Sequence, residues 1–498
     1  MNYHELLTLI APETLLVIAA LGVLVVDLTT LRGEPIAVRM RWGAWLAVMG
    51  CTVAGAALLL SPQQTPPGYL DGMLALNPLS PIVKGVLLAL TICTALISLE
   101  SRFTEHAGEY FALLLLATVG MMFLVSTENT LLIFVSLELL SLCLYVMTAF
   151  NKQNIRSAEA ALKYFLIGGV SAAFLLFGLS LAYGLSGELN LTRMAAKFAG
   201  AKPDPLLLVA MLMIIVGFGF KIAAVPFHLW APDAYQGAPT PSAAFIASGS
   251  KVASFLILAK VMMVGFAGAE GSGAWRSFAQ GWVPVLAVVA GLSVIIGNLA
   301  AIAQTSVKRL LAYSAIAHAG YLLIGVLANQ KSDGIASVLY YVTTYALTTV
   351  GVFAIVGVVQ ERAGHDGLSG FAGLSRREPV VAICLLIFLL SLAGIPPLAG
   401  FFGKFYLFKA ALFVPGAAGN GLLWLVILAL GMSAVSLYYY LQVLKQAFVI
   451  EAPENEDALL MSKVTRTILI LLAGAVVILG MFPNLLLQPL LSALAPGQ

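Results

Sequence analysis

Charge is what this sequence has least of. Only 10% of its 498 residues are Asp, Glu, Lys or Arg, against 61% hydrophobic residues and a mean hydropathy of +0.99. A soluble domain carries about a quarter charged residues, so a water-facing globular surface is excluded. Cysteine is scarcer still: Cys51, Cys93, Cys143 and Cys384 stand far apart inside apolar runs. No C-x-x-C pair occurs, which argues against an iron–sulfur cluster or a zinc site and leaves the thiols as small apolar fillers. There is no G-x-G-x-x-G and no Walker A loop, so redox and nucleotide chemistry belong to other chains. The first residues, Met-Asn-Tyr-His-Glu, hold no basic n-region, and the first apolar run is long enough to stay as a span.

What is present is long apolar runs. Backbone amides in lipid must pair internally, and runs such as 160–184 and 281–303 are continuous rather than alternating, which selects helices over a barrel. A window of about 19 residues picks out about fourteen spans. Their expected limits are 9–30, 42–61, 80–99, 110–126, 129–149, 160–184, 205–235, 241–266, 278–303, 308–328, 335–360, 379–414, 421–446 and 464–485. With fourteen spans both termini share a side. Lys and Arg number 14 in the loops of one side and 5 in those of the other, the side of the termini. The richer loops belong in the cytoplasm, which puts both termini outside, in the periplasm of a cell inner membrane.

Five ionisable residues fall where lipid tolerates them least: Glu138, Lys163, Lys221, Lys251 and Lys404. Each unpaired charge at mid-bilayer costs about 2.5–3.5 kcal/mol, so such residues face protein or water and mark ion or proton routes. Two stretches add a second signal. GFGFKIAAVPFHLWAPDAYQG (217–237) and SLAGIPPLAGFFGKFYLF (391–408) each place proline and lysine in one span, the seventh and the twelfth. Pro226 deprives the Ile222 carbonyl of its helical partner, and Pro396 and Pro397 do the same to Leu392 and Ala393. One such break reads as an ordinary kink; two in matching places read as a transport site. Their offset of five spans is odd, so the two units run in opposite directions. The expected organisation is spans 1–3 over 1–109, a first repeat over 110–266 (spans 4–8), an inverted second repeat over 278–446 (spans 9–13), and a cytoplasmic loop with the last span over 447–498.

Glu138, in FVSLELLSLCLYVM (134–147), needs a counter-ion, and Lys163 on the next span is the expected one. Glu159, one turn before Lys163, competes for it. Burial disfavours the charged form of lysine, so such a residue can switch state near neutral pH and relay protons. His228, beside the first break, and His318, deep in the tenth span, titrate near neutrality and are added as relay candidates, although buried histidines also serve as structural groups. Tyr340, Tyr341, Thr344, Tyr345 and Thr348 of the eleventh span could hold water, but packing is the plainer role. Lys84, Lys260 and Lys409 sit near span ends and are expected to snorkel. Asp233 is read as a cap for the next segment, and the acidic run 451–457 as a solvated loop.

Together, PFHLWAPDAYQGAPTPSAAF (226–245) and GIPPLAGFFGKFYLF (394–408) resemble the antiporter-like membrane subunits of proton-pumping NADH:quinone oxidoreductase, complex I, in its subunit N branch. The resemblance covers nearly the whole chain. It implies an all-α polytopic fold of about fourteen transmembrane helices, with inverted five-helix repeats (spans 4–8 and 9–13) and broken helices 7 and 12. It implies a glutamate on span 5 paired with a lysine on span 6, here Glu138 and Lys163. It also implies relay lysines on spans 7, 8 and 12, here Lys221, Lys251 and Lys404, with His228 as a further member. It implies proton translocation with no cofactor on this chain; NADH, FMN, iron–sulfur clusters and quinone would belong to the whole complex. The implied partners are other membrane subunits, sister antiporter-like ones among them, and the bilayer, with no nucleic acid. A monovalent cation/proton antiporter subunit would use the same charged line, and an inert scaffold held by buried ion pairs is the third reading.

Overall fold

The computed structural model describes residues 3–62, 64–66, 68–99, 101–199, 204–275, 277–328, 331–412, 421–451 and 461–495. Most of the acidic run, residues 452–457, together with Lys202 and Arg276, lies outside these. Among the described residues every regular element is helical. The first three long helices are α1 (Ala11–Leu28), α2 (Ile36–Leu60) and α3 (Leu79–Ile97). They precede α4 (Ala107–Val125), α5 (Thr130–Thr148), α6 (Ile155–Ser186) and the broken α7, formed by α7a (Pro205–Ile222) and α7b (Trp230–Gly237). Next come α8, in halves α8a (Thr240–Ala247) and α8b (Gly249–Lys260), then α9 (Trp282–Ile302), α10 (Val307–Leu327) and α11 (Lys331–Ala363). The second broken helix is α12a (Pro379–Ala393) with α12b (Ala399–Leu412), followed by α13 (Leu423–Phe448) and α14 (Lys463–Met481).

Among the described residues thirteen helices are long and apolar enough to cross a bilayer, and the α12 halves together make a fourteenth crossing. The sequence places the spans well because their ends carry local signals. Asn129 and Asn154 cap α5 and α6 with side-chain oxygens on the first amides. Gly187, at φ 71°, ends α6 in the left-handed region. Helix α2 starts at Ile36, six residues before the hydropathy window expects, because Pro35 sets its N-cap while Arg39 and Arg41 keep the window from registering the first turn.

One break was not expected. Ser248, at φ −116° and ψ −83°, separates α8a from α8b, and a π-turn, Val261–Gly265, follows Lys260. No proline marks Ser248; the signal the sequence offers is the run Ser248-Gly249-Ser250.

Helix neighbours repeat in the two units. Helix α4 packs on α5 as α9 packs on α10, α5 on α6 as α10 on α11, and α6 on α7a as α11 on both α12 halves. Helix α8b touches α4 and α7a, just as α13 touches α9 and α12a. Exposed residues of α6, among them Leu162, Leu166, Val170 and Phe177, give it an apolar outer face. Helix α10, by contrast, is buried almost all round at the centre.

Candidate functional site

The two helix breaks are one local structure built twice. At the end of α7a the chain turns through the left-handed region at Ala223 (φ 58°), and at the end of α12a it does so at Gly394 (φ 89°). The amide of Ala224 donates to the Gly219 carbonyl at 2.8 Å, and that of Ile395 to Leu390 at 3.0 Å. Phe227 N–H donates to Ala224 at 2.7 Å, and Leu398 N–H to Ile395 at 3.1 Å. The peptide bonds before Pro226 and Pro397 are both cis.

In the second break, the carbonyls that the prolines leave without helical partners find a cation. Lys404 Nζ donates to Leu392 O and to Ala393 O, each at 3.0 Å, and to Ser433 Oγ of α13 at 2.8 Å. It also lies 5.0 Å from the centre of the Tyr321 ring. A buried ammonium is thus held by oxygen dipoles with no carboxylate among these partners. In the first break the partners differ. Trp230 Nε1 donates to Phe220 O at 3.0 Å, and Val225 N–H to Ser293 Oγ at 2.9 Å. His228 is buried in the link between α7a and α7b, and its Nδ1 has no hydrogen-bond partner among the described residues.

The expected Glu138–Lys163 pair is not formed. Glu138 faces Lys221, whose Nζ lies 3.5 Å from Oε1 and also donates to Ser141 Oγ. Lys163 lies on the outer side of α6, where it pairs with Glu159 at 2.7 Å and Asp233 at 2.8 Å. The physical reason is rotational: a residue one turn away on the same helix and one on the packed α7b lie on the face that Lys163 occupies, and Glu138 does not. Asp233 is therefore no simple cap. It holds Lys163 and also Arg309 Nη1, at 2.6 Å, joining α6, α7b and α10.

Lys251, the third residue of α8b, donates to the Ala315 carbonyl of α10 at 2.6 Å and lies 5.6 Å from the centre of the Tyr345 ring. His318, one turn further along α10, makes Nδ1···Tyr341 Oη at 2.6 Å and Nε2···Tyr440 Oη at 3.1 Å, and Tyr440 Oη meets Ser314 Oγ at 2.5 Å. The His318 ring lies 4.9 Å from that of Tyr345, within electrostatic reach of both Lys251 and Lys404. The structure therefore sets Glu138 against Lys221, and places both Lys251 and Lys404 within electrostatic reach of His318 without direct contact. Lys163 stands apart at the edge.

Sequence reasoning missed the hydroxyls that serve this file, Ser141, Ser433 and Tyr440, because Ser and Tyr in apolar helices carry no pattern of their own. Tyr341 and Tyr345, read as packing, are in contact with His318. It also missed Glu13, which pairs with Lys84 at 2.6 Å, and Asp27, which pairs with Arg39. Both acids lie within the first apolar run, so their position there was the available signal. Lys84, 1% exposed, and Lys260, 7% exposed, do not snorkel as expected, since each has an oxygen partner inside the protein. Lys409 is exposed. Among the described residues no three His, Cys, Asp or Glu side chains are grouped to hold a metal ion.

Comparison with known proteins agrees with this architecture. The family model described as NADH:quinone oxidoreductase/Mrp antiporter, TM, matches residues 127–437. NADH-quinone oxidoreductase subunit N 2 of Acidobacterium capsulatum is 54% identical over 98% of this chain and 99% of its own length. NAD(P)H-quinone oxidoreductase subunit 2 of a Nostoc species is 40% identical over 90% and 83%. A chain of respiratory complex I from Thermus thermophilus superposes with a TM-score of 0.77 at 32% identity, covering 96% of this chain and 98% of that one. A chain of the Mrp complex from Dietzia shares the fold, with a TM-score of 0.81 at 20% identity over 99% and 97%. On this agreement of sequence, fold and buried charge, the chain belongs to the NADH:quinone oxidoreductase/Mrp antiporter family of membrane subunits.

Proposed function

We propose that this chain is a proton-translocating, non-redox membrane subunit of an NADH:quinone oxidoreductase. The observation that carries the reading is the set of ionisable groups inside the bundle, half-buried Glu138 against buried Lys221, and buried Lys251 and Lys404 within electrostatic reach of His318, beside helices that come undone. Electron transfer from NADH through FMN and iron–sulfur clusters to quinone takes place on other subunits, sister antiporter-like subunits being among the membrane neighbours. The excess of Lys and Arg on the face opposite the termini supports a cell inner membrane with both termini periplasmic.

In this reading protons enter the first repeat from the cytoplasm near Glu138 and Lys221. An indentation of about 320 Å³ between the repeats on that face, lined by Arg102, Gln236, Lys308 and Glu361 among others, supports water access there. The proton passes by way of His228 to Lys251 and His318, and leaves through the second repeat by way of Lys404. Protonation of Glu138 removes the charge facing Lys221 and thereby weakens the hold on its ammonium proton; in a low-dielectric interior that coupling is strong. Lys163 acts from the edge, since its ammonium is shared with Asp233 of α7b, the segment that follows His228.

The test is proton uptake by vesicles containing the assembled enzyme, driven by NADH. Lys221→Ala and Glu138→Gln should each lower proton translocation to less than half while the complex still assembles. Full pumping stoichiometry in both variants would overturn the assignment. A sodium-dependent pH change with no response to NADH would assign the file to cation/proton antiport instead.

A further inference from the structure

A second set of buried charges lies outside this file, on helices α1 and α3, which precede the matched family region, and at the end of α8b within it. Glu13 of α1 and Lys84 of α3 pair at 2.6 Å with exposures of 2% and 1%. Neither Glu13 carboxylate oxygen has a hydrogen-bond partner among the described residues, so the Lys84 contact is an ion pair without hydrogen-bond geometry. Lys260, at the end of α8b, donates to the Val125 carbonyl at 2.7 Å and lies within electrostatic reach of Lys84 and Glu128. Following the chain through its crossings puts Glu13, Lys84, Glu128 and Lys260 at the N-terminal face, where α1 and α3 begin and α4 and α8b end.

That end of the protein is open to the surface. A cavity of about 430 Å³ is lined by Glu128, Asn77, Asn190, Arg193 and Leu76, and a small recess that shares Leu76 reaches Ser80 and Lys84. Inward, α3 carries Ser80, Lys84, Thr91, Thr94 and Ser98 on one buried stripe about 80° wide at about 100° per residue. Thr91 meets Thr118 at 2.8 Å and Ser98 meets Tyr110 at 3.2 Å, so hydroxyls continue that stripe towards the opposite face. Lys251 and Lys260 stand nine residues apart, on opposite sides of α8b, so this one helix borders both charged sets. A buried ion pair adds little stability over well-packed apolar residues, so stability alone is a weak reason for Glu13 and Lys84 to be there.

We propose that Glu13, Lys84 and Lys260 form a second proton-exchange site, which trades protons with the N-terminal face through the cavity that Glu128 lines. The proposal rests on the proton-translocating reading above and extends it to helices α1 and α3. In the exchange step the Lys84 ammonium gives a proton to the Glu13 carboxylate: an N–H bond breaks, an O–H bond forms, and a neutral amine and acid remain. Glu13 then releases the proton to water in the recess that neighbouring Pro12 and Lys84 line and that shares Leu76 with the cavity, and Lys84 is reprotonated from water along the α3 stripe.

The experiment compares proton output per NADH oxidised in vesicles carrying the assembled enzyme. The paired variant Glu13→Leu with Lys84→Met replaces the ion pair by apolar groups and should leave assembly intact, while the proton output falls towards the level of Lys221→Ala. Lys260→Gln, which keeps a donor for Val125 but no charge, should give the same fall and serves if the paired variant fails to assemble. An undiminished ratio in either assembled variant, with Lys221→Ala still impaired, overturns this site alone. An undiminished ratio in Lys221→Ala as well overturns the proton-translocating reading and this site with it.

Discussion

At Gly394 a single hydrogen atom in place of a methyl group decides where an ammonium sits. A Cβ there would lie 3.2 Å from Lys404 Cδ and 3.3 Å from Nζ, and the φ of 89° already disfavours any side chain. Gly394→Ala should therefore push Lys404 off the Leu392 and Ala393 carbonyls and lower proton translocation several-fold, measured in vesicles driven by NADH. The matching position in the first break predicts the opposite. Ala223 already bears a methyl group at φ 58°, a conformation that costs roughly 1–2 kcal/mol in an L-residue. Ala223→Gly should leave pumping unchanged and raise thermal stability slightly. Much of this was readable beforehand, because proline chemistry alone names the carbonyls of Leu392 and Ala393 as needing partners. That Lys404 supplies both hydrogen bonds was not readable, since it depends on how α12b folds back beside α12a.

Between elements, the instructive case is Asp233. It joins α6, α7b and α10 through Lys163 and Arg309, whereas Glu159 contacts Lys163 within a single helix. Asp233→Asn should lower the amount of assembled complex in membranes several-fold, and Glu159→Gln should leave it near normal; native gel separation of solubilised membranes checks both. Adjacency of spans in sequence made Lys163 the natural partner for Glu138, but adjacency does not fix helix rotation. Hydropathy locates a crossing without saying which flank of it meets which neighbour. Lys221 of α7a, two spans away, is the residue whose side chain reaches Glu138. The α8 break at Ser248 escaped notice for a related reason, since no proline marks it and the adjacent Gly249 alone does not fix a break that depends on how α8a and α8b pack on α11.

Over the whole molecule, the doubled break organises everything else. Two inverted units bring Lys221 and Lys404 to opposite ends of the file, with Lys251 and His318 between them at the shared centre on α8b and α10. The spacing of the two proline–lysine stretches was enough to foresee the inversion. It could not foresee the tyrosines around His318, which come from α11 and α13 and meet only in the folded bundle. Proton transfer over such a file requires water in its gaps, because the protein atoms described here connect it only in part. A density map of the assembled complex that resolves ordered water tests this most directly. The account predicts waters linking Lys221 past His228 to Lys251, and His318 to Lys404. Dry apolar packing in those two intervals would contradict it.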